Sequence, residues 1–491
     1  MPQKFIRYPI ANSYASLPQD FYTQIEPQPL NSPEVVHINR SLALHIGLSK
    51  DFIGSREFLS VVSGRRSLPG GKTIATVYSG HQFGVWAGQL GDGRAHLLGQ
   101  INTDEGPVEL QLKGSGKTPY SRMGDGRAVL RSSVREYLAS EAMFHLGIPT
   151  TRALSLVVSN DPVYRETVEK AAIVARTSPS FIRFGTFEHF ADNPDHLKTL
   201  TRYLITTFYP EFVPSVDTKI PDWKSAVLCL LQEISNRTAE LVAKWITVGF
   251  CHGVMNTDNM SVLGLTIDYG PYGFMDGFKA DHICNTTDRG GRYAWNAQAS
   301  IAYWNLHRLA GSFVGMGLSE SELKESLSSF ESHFLNSYRS IMSRKFGLEA
   351  LTPDDYGLID EWWSLLHNSG ADFTLSFRSL ADAPHNTDLW VQQFSDVEGA
   401  KDWMDSYMAR VLYEGRPESE RMQEMNSINP LYILRNYLLQ DAIDQAESGD
   451  YTEVHKLFEV VQNPFEYSKK YKKYAMPPPP GLSSISLSCS S

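Results

Sequence analysis

The run His252-Gly253-Val254-Met255-Asn256-Thr257-Asp258-Asn259 brings a histidine, a carboxylate and an amide close together. It follows the apolar run Val248-Gly249-Phe250-Cys251. It precedes a short apolar hairpin, Met260 to Ile267, that closes on Asp268-Tyr269-Gly270. A carboxylate such as Asp258 can accept a proton, while Asn259 and Asp268 offer the hard oxygen donors that Mg²⁺ prefers. Upstream, Lys113 ends a β-prone run and Glu136 sits on the helix that follows. A lysine clamped by a glutamate can hold phosphate. Gly91-Asp92-Gly93-Arg94 is glycine-rich, and backbone N–H groups approach phosphate closely where no Cβ intervenes. Arg176 and Arg183 add two guanidiniums suited to multidentate phosphate contacts. Together these residue types suggest metal-assisted transfer of a phosphate-bearing group.

Their order matches the catalytic frame of kinase-like enzymes: Lys, then Glu, then a loop of His, any residue, Asp, four residues and Asn, then Asp-aromatic-Gly. His252 and Asn259 keep the loop frame, but Val254 fills its Asp position and can neither take a proton nor bind metal. Asp258, next to Asn259, is the substitute carboxylate. The interval from Asn259 to Asp268 is shorter than in ordinary protein kinases, which a tight hairpin permits.

Each part has a plainer reading. Gly91–Arg94 alone is a β-hairpin turn. Ser133-Val134-Arg135-Glu136 is a capping box, with Glu136 reaching back to an N-cap amide. Lys113 alone is a surface lysine, Arg176 and Arg183 are salt-bridge partners, Asp258 caps the hairpin and Asp268-Tyr269-Gly270 is a turn. Only the joint order of the residues outweighs these readings.

The elements that must position these residues are β-prone runs at Ile74–Tyr78, Ala95–Leu98, Val108–Lys113 and Ala171–Arg176, with one helix from about Ser133 to Leu146 between them. Beyond Phe190 the pattern is mainly helical: Leu230–Ile246, Trp295–Val314, Ser319–Ser343, Ile359–His367, Ala400–Tyr413, Tyr432–Glu447 and Thr452–Val461. This predicts an α+β, protein-kinase-like two-lobed fold. Residues 1–72 read as an irregular N-terminal extension, 73–185 as a β-rich N-lobe, 186–465 as a helical C-lobe and 466–491 as a flexible Pro- and Ser-rich tail carrying Cys489. Gly-Asp-Gly-Arg occurs at both 91–94 and 124–127, too short to mark a repeat architecture.

The chain of 491 residues carries a formal charge of −10 at pH 7, which argues against nonspecific binding to nucleic acid or an anionic membrane. It lacks the ~20 uninterrupted apolar residues of a membrane helix. The start lacks a secretory pattern, so the expected location is the cytoplasm. Four cysteines without a C-x-x-C pair argue against structural zinc.

The chain resembles the selenoprotein O family of atypical pseudokinases over nearly its whole length. The resemblance rests on Tyr78–Gly84, Gly88–Arg94, Thr118–Ala128, His252–Asn259, Asp268-Tyr269-Gly270-Pro271 and the terminal Cys489-Ser490-Ser491. Many members outside bacteria carry selenocysteine in the tail, at the position Cys489 resembles. The resemblance implies protein adenylylation, with AMP passing from ATP to Ser, Thr or Tyr hydroxyls of protein substrates. It implies an ATP flipped relative to ordinary kinases, with its γ-phosphate buried and its α-phosphate facing the acceptor. Asp258 is then the proton acceptor, and Asn259 and Asp268 hold Mg²⁺ or Mn²⁺. Lys113, paired with Glu136, contacts phosphate, and Arg176 and Arg183 grip the buried phosphate end. Gly91, Gly93, Arg94, Asp125 and Gly126 line the nucleotide site, with Asp268 also meeting the nucleotide.

The family's redox biology further points to a regulatory Cys284–Cys489 disulfide. Two other functions stay in view. A phosphoryl-transferring kinase is disfavoured by Val254, and an inactive nucleotide-binding scaffold by the retention of Lys113, Glu136, Asn259 and Asp268.

Overall fold

The computed structural model describes residues 6–213, 223–482 and 487–488. Its strand-rich part is a nine-stranded antiparallel sheet. Seven strands run in the order Tyr22–Gln24, Ile74–Thr76, Ala95–Thr103, Gly106–Lys113, Val168–Ser178, Arg152–Tyr164, Glu34–Ile38; Ile10–Ala11 pairs with the third and Ala128–Val129 with the fifth.

Alternation along the strands assigns each face a different cover. Leu98, Leu110, Leu112, Leu154, Val157 and Ile173 pack under three short N-terminal helices, Arg40–His45, Lys50–Ile53 and Arg56–Val62, through Leu42, Phe52, Phe58 and Val61. Leu97, Leu156, Ala172 and Val174 face the helix Leu130–His145, which presents Val134, Tyr137 and Leu138. That helix is also covered from outside by Thr452–Val461. In the helical part the 25-residue helix Trp223–Thr247 packs against Pro194–Phe208, Gln298–Gly311, Glu320–Ser326 and Phe330–Lys345.

Three local readings change. Residues 6–72 are not irregular: they supply strands to the sheet and the helices over one face. The helix after Lys113 starts at Leu130, not Ser133. Ala128–Val129 pairs with Val168–Ser178 and runs directly into the helix, so Ser133 is a buried interior residue and no side chain caps the N-terminus. The proposed capping box is therefore absent, and Glu136 is free for other partners. Gly91–Arg94 does not close a hairpin either. The strand before it, Val85–Gln89, pairs only with Ser79–Gln82 in a separate two-stranded sheet, whereas Ala95–Thr103 lies in the large one.

Candidate active site

The strand Gly106–Lys113 carries Glu109, Gln111 and Lys113 on one face, opposite Leu110 and Leu112. The next helix brings Glu136 to Lys113 at 2.7 Å. The neighbouring strand brings Arg176 to Glu136 at 2.8 Å and to Gln111. Asp268 enters from the other part of the molecule. Its Oδ1 accepts from Lys113 at 3.0 Å and Arg176 at 2.6 Å, and its Oδ2 accepts from Arg183.

Three cations thus meet two carboxylates at a largely buried site, leaving one positive charge in surplus before Asp258 is counted. Burial opposes ionisation of Asp268, but Arg183, Lys113 and Arg176 outweigh it and hold the carboxyl well below its usual range. Burial likewise opposes Glu136, and Lys113 with Arg176 holds it low. Burial draws Lys113 downward against the pull of Asp268 and Glu136. Asp268 has φ +58°, a left-handed conformation that a non-glycine residue adopts at a cost of order 1–3 kcal/mol. Strain of this kind concentrates at functional sites, where surrounding contacts enforce it.

The loop His252–Asn259 is pinned from below. His252 is buried against Trp245, and its Nε2–H donates to the Ile267 carbonyl at 3.1 Å. Burial lowers its pKa, so it is a neutral brace beside Asp268. Asn305 donates to the Met255 carbonyl at 2.9 Å. The Asn259 side-chain N–H donates to the Val254 carbonyl at 3.0 Å, which orients the amide and leaves its oxygen available as a donor atom. Arg183 spans the two motifs: besides Asp268 it donates to the backbone carbonyl of Asp258 at 2.7 Å, with its guanidinium 4.7 Å from the Tyr78 ring centre.

Asp258 is 8% exposed. Its Oδ2 accepts from Gln82 at 3.2 Å, and its buried Oδ1 has no hydrogen-bond partner. Burial pushes its carboxyl up to about 6, against the opposing pull of Gln82 and Arg183.

Gly91, Gly93 and Arg94 form a turn that packs on Tyr120 and Ser121; a Cβ on Gly91 would lie 2.5 Å from the Tyr120 ring. Asp92 braces this turn by accepting from the Thr76 N–H at 2.9 Å and its hydroxyl at 2.7 Å. Asp125 and Gly126 do not join the charged cluster. Asp125 pairs with Arg165 at 2.7 Å, which holds its carboxyl low, and Gly126 packs on Gly116. Cys284 is a buried free thiol beside Gly253, and Cys489 lies outside the described residues.

Gln82, Gln111 and Tyr78 have no role assigned from the sequence, although Tyr78 and Gln82 fall within the family-like run Tyr78–Gly84. For Gln111 a signal existed, the period-two polar face Glu109-Gln111-Lys113. For Gln82 the family-like run marks the position but not its role, because its partner is 176 positions away.

A cationic cluster around a fixed carboxylate, with a second carboxylate nearby that keeps one oxygen unpartnered, offers groups that can hold a polyphosphate and accept a proton. Asn259 and Asp268 together are an oxygen donor set that fits Mg²⁺ or Mn²⁺. Among the described residues no group of three or more His, Cys, Asp and Glu side chains gathers as a metal site, and a cation sharing its coordination with phosphate needs none.

An α+β protein whose strand-rich and helical parts each supply charged groups to one buried polar centre has the make-up of a nucleotide-dependent transferase. The family described as "Protein adenylyltransferase SelO" matches residues 4–462. Similar proteins called "Protein nucleotidyltransferase YdiU" are 53% identical over 487 residues in Bordetella petrii and 52% identical over 483 residues in Bordetella avium, covering 98% of both chains in each case. One from Dechloromonas aromatica is 44% identical, covering 99% of this chain and 98% of its own. The chain belongs to the SelO family of nucleotidyltransferases.

Proposed function

We propose that the chain transfers AMP from ATP to Ser, Thr or Tyr hydroxyls of other proteins, using Asp258 as the base. The observation that carries this reading is the pair of links made by Arg183. It ties the cationic cluster at Asp268 to the backbone of Asp258, whose buried Oδ1 has no partner. Family membership and the named relatives support nucleotidyl transfer to proteins.

In this reading the fold is kinase-like, with the strand-rich part as N-lobe and the helical part as C-lobe. ATP enters flipped. Lys113, Arg176 and Arg183 hold the γ- and β-phosphates over Asp268, and the turn Gly91–Arg94 with Asp125 and Gly126 covers the nucleotide. The α-phosphate then faces Asp258. The acceptor oxygen attacks the α-phosphorus, the bond to the bridging oxygen breaks, pyrophosphate leaves, and the hydroxyl proton passes to Asp258. A surplus of fixed positive charge suits the charge that develops on pyrophosphate. Asn259 and Asp268 would hold Mg²⁺ or Mn²⁺, which supplies further neutralisation at phosphate. Val254 leaves the usual kinase base position without a carboxylate, which weighs against γ-phosphoryl transfer. A setting in the cytoplasm fits the ATP requirement, and among the described residues no helix is long and apolar enough to cross a membrane.

Redox control through Cys284 and Cys489 extends the reading. The Thr286 N–H and hydroxyl each donate to the Leu487 carbonyl at 2.8 Å, so the chain two residues before Cys489 lies beside the segment that follows Cys284. Cys284 in turn abuts Gly253 of the catalytic loop. Unaltered activity of Cys489→Ser in both oxidising and reducing buffer would remove this extension.

The product pair tests the main reading. Incubation with ATP and a protein acceptor should release pyrophosphate and leave an AMP adduct on the acceptor. Release of ADP with a phosphate adduct would make the chain a kinase.

A further inference from the structure

The two-stranded sheet beside Asp258 is tied to the catalytic loop by three consecutive residues. The His81 N–H donates to the Thr257 hydroxyl at 2.7 Å, the Gln82 side chain to Asp258 at 3.2 Å, and the Phe83 N–H to the Asn256 side chain at 3.1 Å. Its second strand, just past the turn at Phe83-Gly84, carries two large apolar residues into solvent, Val85 at 69% and Trp86 at 49% exposure. Two adjacent exposed apolar side chains on a strand tied to the Asp258 loop offer contact area to a partner.

The surroundings of the turn are cationic. The His81 ring lies 5.1 Å from Trp86 and 5.5 Å from Trp304. Trp304 is flanked by two guanidiniums, Arg292 at 4.6 Å and Arg308 at 5.1 Å. Arg292 also packs against Gly84 at the tip of the turn, and its buried Nε has no hydrogen-bond partner. Among the described residues no carboxylate lies within ion-pair distance of the Arg292 or Arg308 guanidinium: Glu188 is committed to His81 at 2.6 Å, and Asp288 accepts from the backbone N–H groups of Arg292 and Tyr293 at 3.0 and 2.7 Å. Two guanidiniums over an indole without an ion-pair partner among the described residues are notable on a protein of formal charge −10. They are separate from the phosphate-facing cations, which already pair with Glu136 and Asp268.

We propose that the face formed by Trp86, Trp304, Arg292 and Arg308 docks the acceptor protein and selects hydroxyls flanked by Asp or Glu. The proposal deepens the AMP-transfer reading and rests on it. The aromatic rings supply apolar area with little entropy to lose, and the guanidiniums pair with carboxylates on the acceptor. Continuity with Asp258 through Gln82 sets the docked segment beside the base.

The test uses the full chain, ATP labelled at the α-phosphate, and two synthetic peptides with the same central tyrosine, flanked by Glu and Asp in one and by Lys in the other. The wild-type chain should label the acidic peptide with about tenfold higher kcat/KM, mostly through KM, as expected for one charge-assisted contact. Arg308→Lys should keep the preference. Arg308→Glu, at an exposed position, should cancel or reverse it while ATP still raises the melting temperature. Equal labelling of both peptides by wild type overturns the proposal, as does an undiminished acidic preference in Arg308→Glu. If neither peptide is labelled although the chain labels itself, the surface falls and AMP transfer stands. If nothing is labelled, the chain itself included, the underlying reading falls and takes the surface with it.

Discussion

The guanidinium of Arg183 reaches the backbone carbonyl of Asp258 at 2.7 Å while also gripping the carboxylate of Asp268. One side chain therefore links the two acids that the proposed chemistry uses. Both bonds leave the same Nη1, which the guanidinium plane holds in place against the Tyr78 ring; a lysine lacks that plane and is held less firmly between the two partners. Arg183→Lys should lower the rate of transfer by about 10²–10³-fold, the range seen when a preorganised donor is removed from a reacting centre. Steady-state kinetics with the acceptor saturating would check this. A change under twofold would show that Arg183 is only a packing residue.

Gln82 and Gly80 act on Asp258 from the opposite side. Gln82→Ala removes the hydrogen bond to Oδ2 and should lower kcat by about tenfold or more, with KM for ATP little changed, since the residue touches no phosphate-facing cation. A Cβ on Gly80 would lie 2.9 Å from the Thr257 hydroxyl and 3.0 Å from Asp258 Oδ1. Gly80→Ala should therefore show the same pattern by displacing the carboxylate. A rise in ATP KM without loss of kcat in either variant would contradict this placement.

Lys345 offers a stability test remote from the site. It is 2% exposed, 4.1 Å from the Phe377 ring centre, and among the described residues no carboxylate pairs with it. Burial lowers its pKa from 10.5 to about 7. Between those values the unfolded chain binds the proton and the folded one does not, so this group makes stability rise with pH across that window. Below about pH 7 both states are protonated, and the cost of burying the charge is felt in full. Lys345→Met should raise stability by about 1–3 kcal/mol below that pH, with the gain fading towards 10.5. Denaturant titrations at several pH values would measure it. A gain independent of pH would mean that the lysine keeps its proton in the fold and its pKa is not lowered by burial.

Much of the site was readable because its residues lie in short ordered strings. His252–Asn259 and Asp268-Tyr269-Gly270 announce themselves locally, and Lys113 and Glu136 sit on elements whose periodicity is clear. What escaped depends on distant partners. The strand Glu34–Ile38 exists because it pairs with Arg152–Tyr164, and Tyr22–Gln24 because it pairs with Ile74–Thr76. Neither carries enough local pattern to stand alone. The start of the helix Leu130–His145 was misjudged because Ser133 and Glu136 have the types of a capping box, whereas pairing of Ala128–Val129 with Val168–Ser178 draws the helix back by three residues. The role of Gln82 was hidden for the same reason: it acquires meaning only when the fold carries the residue to Asp258.

The central claim is that the α-phosphate faces Asp258 while the distal phosphates lie in the cluster around Asp268. Parallel incubations with ATP labelled at the α- or the γ-phosphate, a protein acceptor and Mg²⁺ test it directly, using the wild-type chain and Asp258→Asn. The account predicts acceptor label from the α position only, reduced by at least about 10²-fold in Asp258→Asn, in the range of lost general-base catalysis. Label from the γ position would contradict it, because the nucleotide would then lie in the ordinary kinase orientation.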